Sequence, residues 1–129
     1  MVSETVRERF SGTKPEVYTL EPEKAARFKA RTMLVPSPDQ MRNAISTIPH
    51  GETKTLRQLR EELAADTGAD ITCPYAAGLC WRLVAEDAET DGADETPWWR
   101  VTADGKPNPK LPGGAERHLM LWTGEKEGE

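Results

Sequence analysis

The segment ETPWWRVTADGKP, residues 95–107, sets two tryptophans and an arginine side by side between a proline and an Asp-Gly pair. An indole face stacks on a flat apolar ligand such as a base, and a guanidinium offers fixed donors to a phosphate or carbonyl. In an extended segment neighbouring side chains point to opposite faces, so Trp98 and Trp99 cannot both enter one core. One of the pair is expected to face something else. Packing in a small core and lining a binding surface are both open roles for them. Other reactive side chains are few. Cys73 precedes Pro74 at an expected helix start, where the helix dipole favours a thiolate, and Cys80 lies two turns further on the same face. That pair permits a thiol-dependent activity or a redox switch, and equally two structural thiols. Cys73, Cys80, His50 and His118 lack zinc-ligand spacing, so neither a metal nor a cofactor is expected. No phosphate loop, paired-carboxylate signature or Ser-His-Asp pattern stands out.

The elements that must hold these residues are bounded by composition. A chain of 129 residues, 36% hydrophobic and 30% charged, supports one domain with a modest core. No apolar run is long enough to span a bilayer and the N-terminus has no apolar signal core, so a cytoplasmic protein without membrane contact is expected. Two cysteines suit a reducing compartment. The net charge of -5 is uneven: residues 1–50 carry eight Lys/Arg against six Asp/Glu, and residues 51–129 nine against sixteen. Six of those acids fall between Glu86 and Glu95, which reads as a solvated loop. Overall acidity argues mildly against a nucleic-acid partner but leaves room for a local basic face.

Local signals place the elements. Residues 1–36 read as a partly flexible N-terminal extension, whose first 16 residues form an arm with Arg7, Arg9 and Lys14 available to a polyanion. A short strand and a short helix starting near Glu21–Lys24 follow. Residues 37–126 read as the folded domain. Ser37-Pro38-Asp39-Gln40 predicts a capping box and a helix carrying Met41, Ile45 and Ile48, stopped by Pro49-His50-Gly51. Thr55-Leu56-Arg57-Gln58 is a second capping box, opening a helix with Leu56, Leu59 and Leu63 on one face and an end near Thr67-Gly68. A third helix runs from Cys73-Pro74 to about Asp87 with Ala77, Cys80, Trp81 and Val84 inward. Val101–Gly105 reads as an extended piece closed by an Asp-Gly turn, and Ala115–Glu125 as a short helix packed through Leu119 and Trp122. Lys54, Arg57, Arg60, Arg82, Arg100, Lys106 and Lys110 are the candidate phosphate contacts.

The order Ile48-Pro49-x-Gly51, Thr55, Tyr75-Ala76-Ala77-Gly78, Pro97-Trp98-Trp99-Arg100-Val101, Asp104-Gly105, Lys110-x-Pro112-Gly113-Gly114 and Glu125 resembles the DNA-binding domain of the 6-O-alkylguanine-DNA alkyltransferases. It is especially similar to their inert relatives, the alkyltransferase-like proteins, over roughly residues 38–126. The resemblance implies a mainly α fold with a small β element, a winged helix-turn-helix. It implies a monomer that binds double-stranded DNA, reads alkylated guanine as a flipped base and signals to a repair partner. The implied DNA- and base-binding residues are Thr55, Tyr75, Ala76, Ala77, Gly78, Trp98, Trp99, Arg100 and Glu125. Trp98 would line the base pocket, Trp99 would turn inward or shield its wall, Arg100 would hold the loop and Glu125 would sit near the pocket floor.

In the alkyltransferases a Pro-Cys-His-Arg-Val motif supplies the cysteine that accepts the alkyl group. Here Trp98 stands at the cysteine and Trp99 at the histidine, and an indole can be neither nucleophile nor proton relay, so no enzyme activity is expected there. The family's intercalating arginine is Tyr75 here, its nucleotide-rotating tyrosine is Leu56 and its helix-closing asparagine is Val84. An alternative is a protein-interaction module on the same scaffold that has lost DNA binding, and a thiol enzyme using Cys73 is a third.

Overall fold

A computed structural model describes residues 2–127 and shows a mixed α/β fold. In chain order the elements are α1 (Glu4–Phe10), β1 (Glu16–Thr19), α2 (Pro22–Phe28), β2 (Thr32–Val35), α3 (Pro38–Ser46), β3 (Lys54–Thr55), α4 (Leu56–Thr67), β4 (Ile71–Thr72), α5 (Pro74–Thr90), a 3₁₀ turn (Trp98–Arg100), β5 (Val101–Thr102) and α6 (Gly114–Glu127). Strands β1, β2 and β4 form one sheet in that order, with β1 antiparallel and β4 parallel to β2, and β3 pairs in parallel with β5.

Local chemistry explains the central helices. Thr55 caps α4 by accepting from the Gln58 N–H at 3.1 Å while the Gln58 side chain accepts from the Thr55 N–H at 2.8 Å, so both halves of that capping box form. Gly68, at φ 77°, ends the helix in the left-handed conformation that glycine adopts without steric cost. At α3 only half of the expected box forms: Ser37 accepts from the Gln40 N–H at 3.1 Å, but the buried Gln40 Oε1 has no partner. Helix α5 carries the core stripe expected of it, with Ala77, Cys80, Trp81 and Val84 at or below 1% exposure. They pack with Met41 and Ile45 of α3, Leu59 and Leu63 of α4, Leu34 of β2 and Trp98. The Asp-Gly turn is also as expected. Ala103 and Lys106 exchange backbone hydrogen bonds of 2.8 and 3.0 Å around Asp104 and Gly105, both at positive φ as a type I′ turn requires.

The N-terminal stretch departs from the expected flexible arm. Residues 4–10 form α1, capped by Ser3, and Arg7 forks onto Glu86 at 2.9 Å and Asp87 at 2.5 Å near the far end of α5. Arg7 is therefore committed within the protein and not offered to a polyanion. Nor do residues 1–36 stand apart, because β2, unrecognised in the sequence, shares a sheet with β4 and buries Leu34. Asp70 locks that junction by accepting from the Arg31 and Thr32 N–H groups at 2.8 and 3.1 Å.

The acidic run departs as well. Helix α5 continues to Thr90, so Glu86, Asp87 and Glu89 are helical. Glu86 and Asp87 hold Arg7, Asp87 and Asp94 lie 3.4 and 3.6 Å from Arg42 of α3, and Glu89 holds Arg117 of α6 at 2.7 Å. Four of the six acids thus act as ion-pair acceptors for three other helices, which no local sequence signal announces.

The C-terminal helix packs through unexpected residues. Leu119 is 43% exposed and Met120 62%, while His118 is fully buried. Trp98→Ala is expected to lower the free energy of unfolding in urea by about 3–5 kcal/mol, and Leu119→Ala by less than about 0.5 kcal/mol. Similar losses for both would contradict this packing.

Candidate functional site

Pro97-Trp98-Trp99-Arg100 is a 3₁₀ turn and not the extended segment expected, so successive side chains lie a third of a turn apart instead of on opposite faces. Both tryptophans then partly share an interior. Their rings meet edge to face at 5.8 Å, Trp98 is 1% exposed and Trp99 half-buried. Trp98 therefore lies in the core and does not line an open pocket. Trp81 Nε1 donates to the Trp98 carbonyl at 3.0 Å and ties the turn to α5.

Two residues of α6 fix the other side of the turn. His118 sits among Trp81, Trp98 and Trp122 with ring centroids 5.7, 5.7 and 5.1 Å away. Its Nδ1 accepts from the Asn108 N–H at 2.9 Å, which leaves the proton on Nε2 to donate to the Val101 carbonyl at 2.9 Å. The Trp99 carbonyl is a further 3.2 Å neighbour. Burial pushes the imidazole below its ordinary value against the opposing pull of the Trp99 and Val101 carbonyls, so His118 is held neutral. In the sequence His118 stands out only for its lack of metal-ligand spacing. The available signal was its i, i+4, i+7 alignment with Trp122 and Glu125.

Glu125 is the second anchor, a turn further along. It accepts from the Trp99 indole, from Arg100 Nε at 2.9 Å and from the Gly51 N–H at 3.1 Å. Arg100 also donates to the Ile48 carbonyl at 2.8 Å. Burial raises the Glu125 carboxyl, but Arg100, the Gly51 N–H and the Trp99 indole outweigh it and hold it below its ordinary value. Ile48-Pro49-His50-Gly51, the tryptophan turn and α6 are thereby brought together. Arg100 thus bridges the Ile48 carbonyl and Glu125.

The outer face of α5 is a different environment. Tyr75, in the first turn, is 73% exposed. Gly78 is half-buried, whereas Ala76 and Ala77 are buried at 4% and 0% and face away from solvent. Thr55 is occupied as the α4 cap, Leu56 packs against the core and Val84 is fully buried. Among the phosphate candidates Lys54 is paired with Glu62 at 2.7 Å and Arg100 with Glu125. Arg57, Arg60, Arg82, Lys106 and Lys110 make no ion pair among the described residues. Arg57 and Arg60 flank a cleft of about 380 Å³ that reaches Thr72, two residues before α5 begins. A second cleft, of about 460 Å³, separates the later turns of α5 from Pro109–Gly113. Its wall residue Leu111 belongs to the same core cluster as Trp98.

The two thiols sit in different settings. Cys73 caps α5 by accepting from the Ala76 N–H at 3.4 Å, and burial, with a smaller push from Cys73, raises the Cys80 thiol to about 12. Among the described residues no group of three or more His, Cys, Asp or Glu could hold a metal ion, and no helix is long and apolar enough to cross a membrane. Compared with protein-family models, curated proteins and solved structures, the chain matches none.

Both α6 anchors make acid destabilising. Because folding lowers the His118 pKa, the unfolded chain takes up a proton that the fold excludes as pH falls below 6.5, and stability declines toward the lowered folded value. The Glu125 contribution is complete above 4.5 and is lost as pH falls through its own lowered value. Urea denaturation across this range should show a slope in the upper window of at most about 1.4 kcal/mol per pH unit from His118. His118→Gln should flatten that window while leaving the lower one; an unchanged slope would contradict a buried neutral imidazole.

Proposed function

We propose that the chain is a non-enzymatic DNA-binding domain, a winged helix-turn-helix in which α4 and α5 are the paired helices and the Ala103–Lys106 hairpin is the wing. The observation that carries the reading is Tyr75, exposed on the first turn of α5 and accompanied by Arg57, Arg60 and Arg82, which make no ion pair among the described residues. An exposed ring at the end of a helix can wedge into a base stack while nearby guanidinium groups neutralise phosphates.

The similarity to alkyltransferase-like proteins extends the proposal to alkylated guanine, presented as a base turned out of duplex DNA and flagged to a repair partner in the cytoplasm by a monomer. Such a base would enter beside Leu111, the residue shared by the cleft wall and the cluster that holds Trp98. No alkyl transfer is part of this reading, since the motif's cysteine position holds Trp98 and burial keeps the Cys80 thiol protonated at neutral pH. A protein-interaction module is the second reading. The free edge of β1 favours it, because exposed Val17 and Tyr18 offer an unpaired strand to another chain.

Fluorescence anisotropy with a labelled duplex across a salt gradient tests the proposal. Tyr75→Ala should weaken binding by about 1–3 kcal/mol, the range of one aromatic stacking contact. Arg57→Gln and Arg60→Gln should each reduce the slope of log K against log salt by about 0.9. No binding at low salt, or binding indifferent to all three changes, would refute it and leave the interaction module.

A further inference from the structure

The cleft between α5 and Pro109–Gly113 has a charge arrangement that packing alone does not require. Four charged side chains line it: Arg82, Lys110, Glu86 and Glu89. Both acids are answered by partners from other helices. Glu86, 4% exposed, accepts from Arg7 Nη2 at 2.9 Å and from the Val2 N–H at 2.8 Å. Glu89 accepts from Arg117 Nη2 at 2.7 Å and Nε at 3.0 Å. The two cations have no such answer. Neither Arg82 nor Lys110 makes an ion pair among the described residues, and Arg82 Nε is buried with no acceptor. A buried N–H without a partner is rare in folded proteins, and here it belongs to a side chain on a cleft large enough for a nucleotide.

We propose that this cleft is a phosphate site in which Arg82 and Lys110 hold the anion, and Arg7 and Arg117 are positioning residues that neutralise Glu86 and Glu89 so that the anion is not repelled. The planar fork of a guanidinium and the compact charge of an ammonium both suit phosphate oxygens. Pro109, Leu111 and Pro112 supply apolar surface for the rest of a nucleotide. The inference deepens the DNA-binding reading and rests on it for one source of phosphate, the duplex backbone; a free nucleotide is the other. It also gives α1 a role, since the helix that looks remote from the cleft supplies the charge that masks Glu86.

The test titrates the full chain with labelled duplex, with dGMP and with inorganic phosphate at low salt. Arg82→Gln and Lys110→Gln should each weaken duplex binding at least fivefold, an order-of-magnitude expectation for a lost charge-assisted contact, and each should lower the salt slope by about 0.9. Arg7→Gln should weaken binding to a similar degree, and adding Glu86→Gln should restore it to within about twofold, because the charge that Arg7 masks is then gone. Because Glu86→Gln would also relieve a buried unpaired carboxylate, urea denaturation of each variant separates the two roles: masking predicts that Arg7→Gln weakens binding even where the chain is fully folded. Duplex binding unaffected by Arg82→Gln and Lys110→Gln would overturn the site and leave the DNA reading standing. Phosphate or dGMP binding that depends on both residues without duplex binding would uphold the site and refute the DNA reading. Weakening by Arg7→Gln that Glu86→Gln does not restore would overturn the masking role, and no binding of any of the three probes would overturn both.

Discussion

A histidine buried among aromatic rings can be accommodated only if its charge is removed and both nitrogens find partners. His118 meets both conditions by accepting from the Asn108 N–H and donating to the Val101 carbonyl, inside a ring of three tryptophans. The rest of the C-terminal half depends on that arrangement. Helix α6 turns Leu121 and Trp122 inward and leaves Leu119 and Met120 exposed, and His118 and Glu125 fix its position further by directed hydrogen bonds. The same bonds set the backbone of the tryptophan turn and the start of the segment that forms the outer cleft wall. Trp98 is consequently a core residue, and the surface available to a ligand is displaced outward to α5 and the proline-rich segment.

Helix α5 divides its outer surface along its length. Its first turn presents exposed Tyr75 and its middle carries Arg82, whereas its last turns carry Glu86, Asp87 and Glu89, which gather Arg7, Arg42 and Arg117. A net acidic chain therefore keeps a local cationic region, because much of the negative charge near it is consumed in holding helices together. Net charge alone misjudges such a surface.

Features set by neighbouring residues were legible in the sequence. The Thr55 box, the Gly68 stop, the Asp104-Gly105 turn and the apolar stripe of α5 all follow from side chains a few positions apart. Features set by distant partners were not. Arg7 finds Glu86 across 79 residues of sequence, and β2 forms because β4 pairs with it. The first capping box is incomplete at Gln40 although its sequence is as regular as the second, and the Gln40 Oε1 is buried without a hydrogen-bond partner among the described residues. Of the candidate site, Tyr75, Arg57 and Lys106 are exposed, Arg60 is half-buried, and Arg100 and Glu125 pair. The alternation argument failed at Trp98 and Trp99 because a 3₁₀ turn has a period of three, not two. The alignment of His118 with Trp122 and Glu125 does not by itself announce burial, because the other two tryptophans around it come from distant parts of the chain.

The most direct measurement is amide and indole chemical-shift mapping of the ¹⁵N-labelled chain titrated with a short duplex, with and without one 6-O-methylguanine, at low salt. The account predicts shifts concentrated at Tyr75, Gly78 and Arg82, at Arg57 and Arg60, and along Lys110–Gly113, with the indole of buried Trp81 unmoved. Shifts confined to β1 and its edge, or no shifts at all, would contradict it.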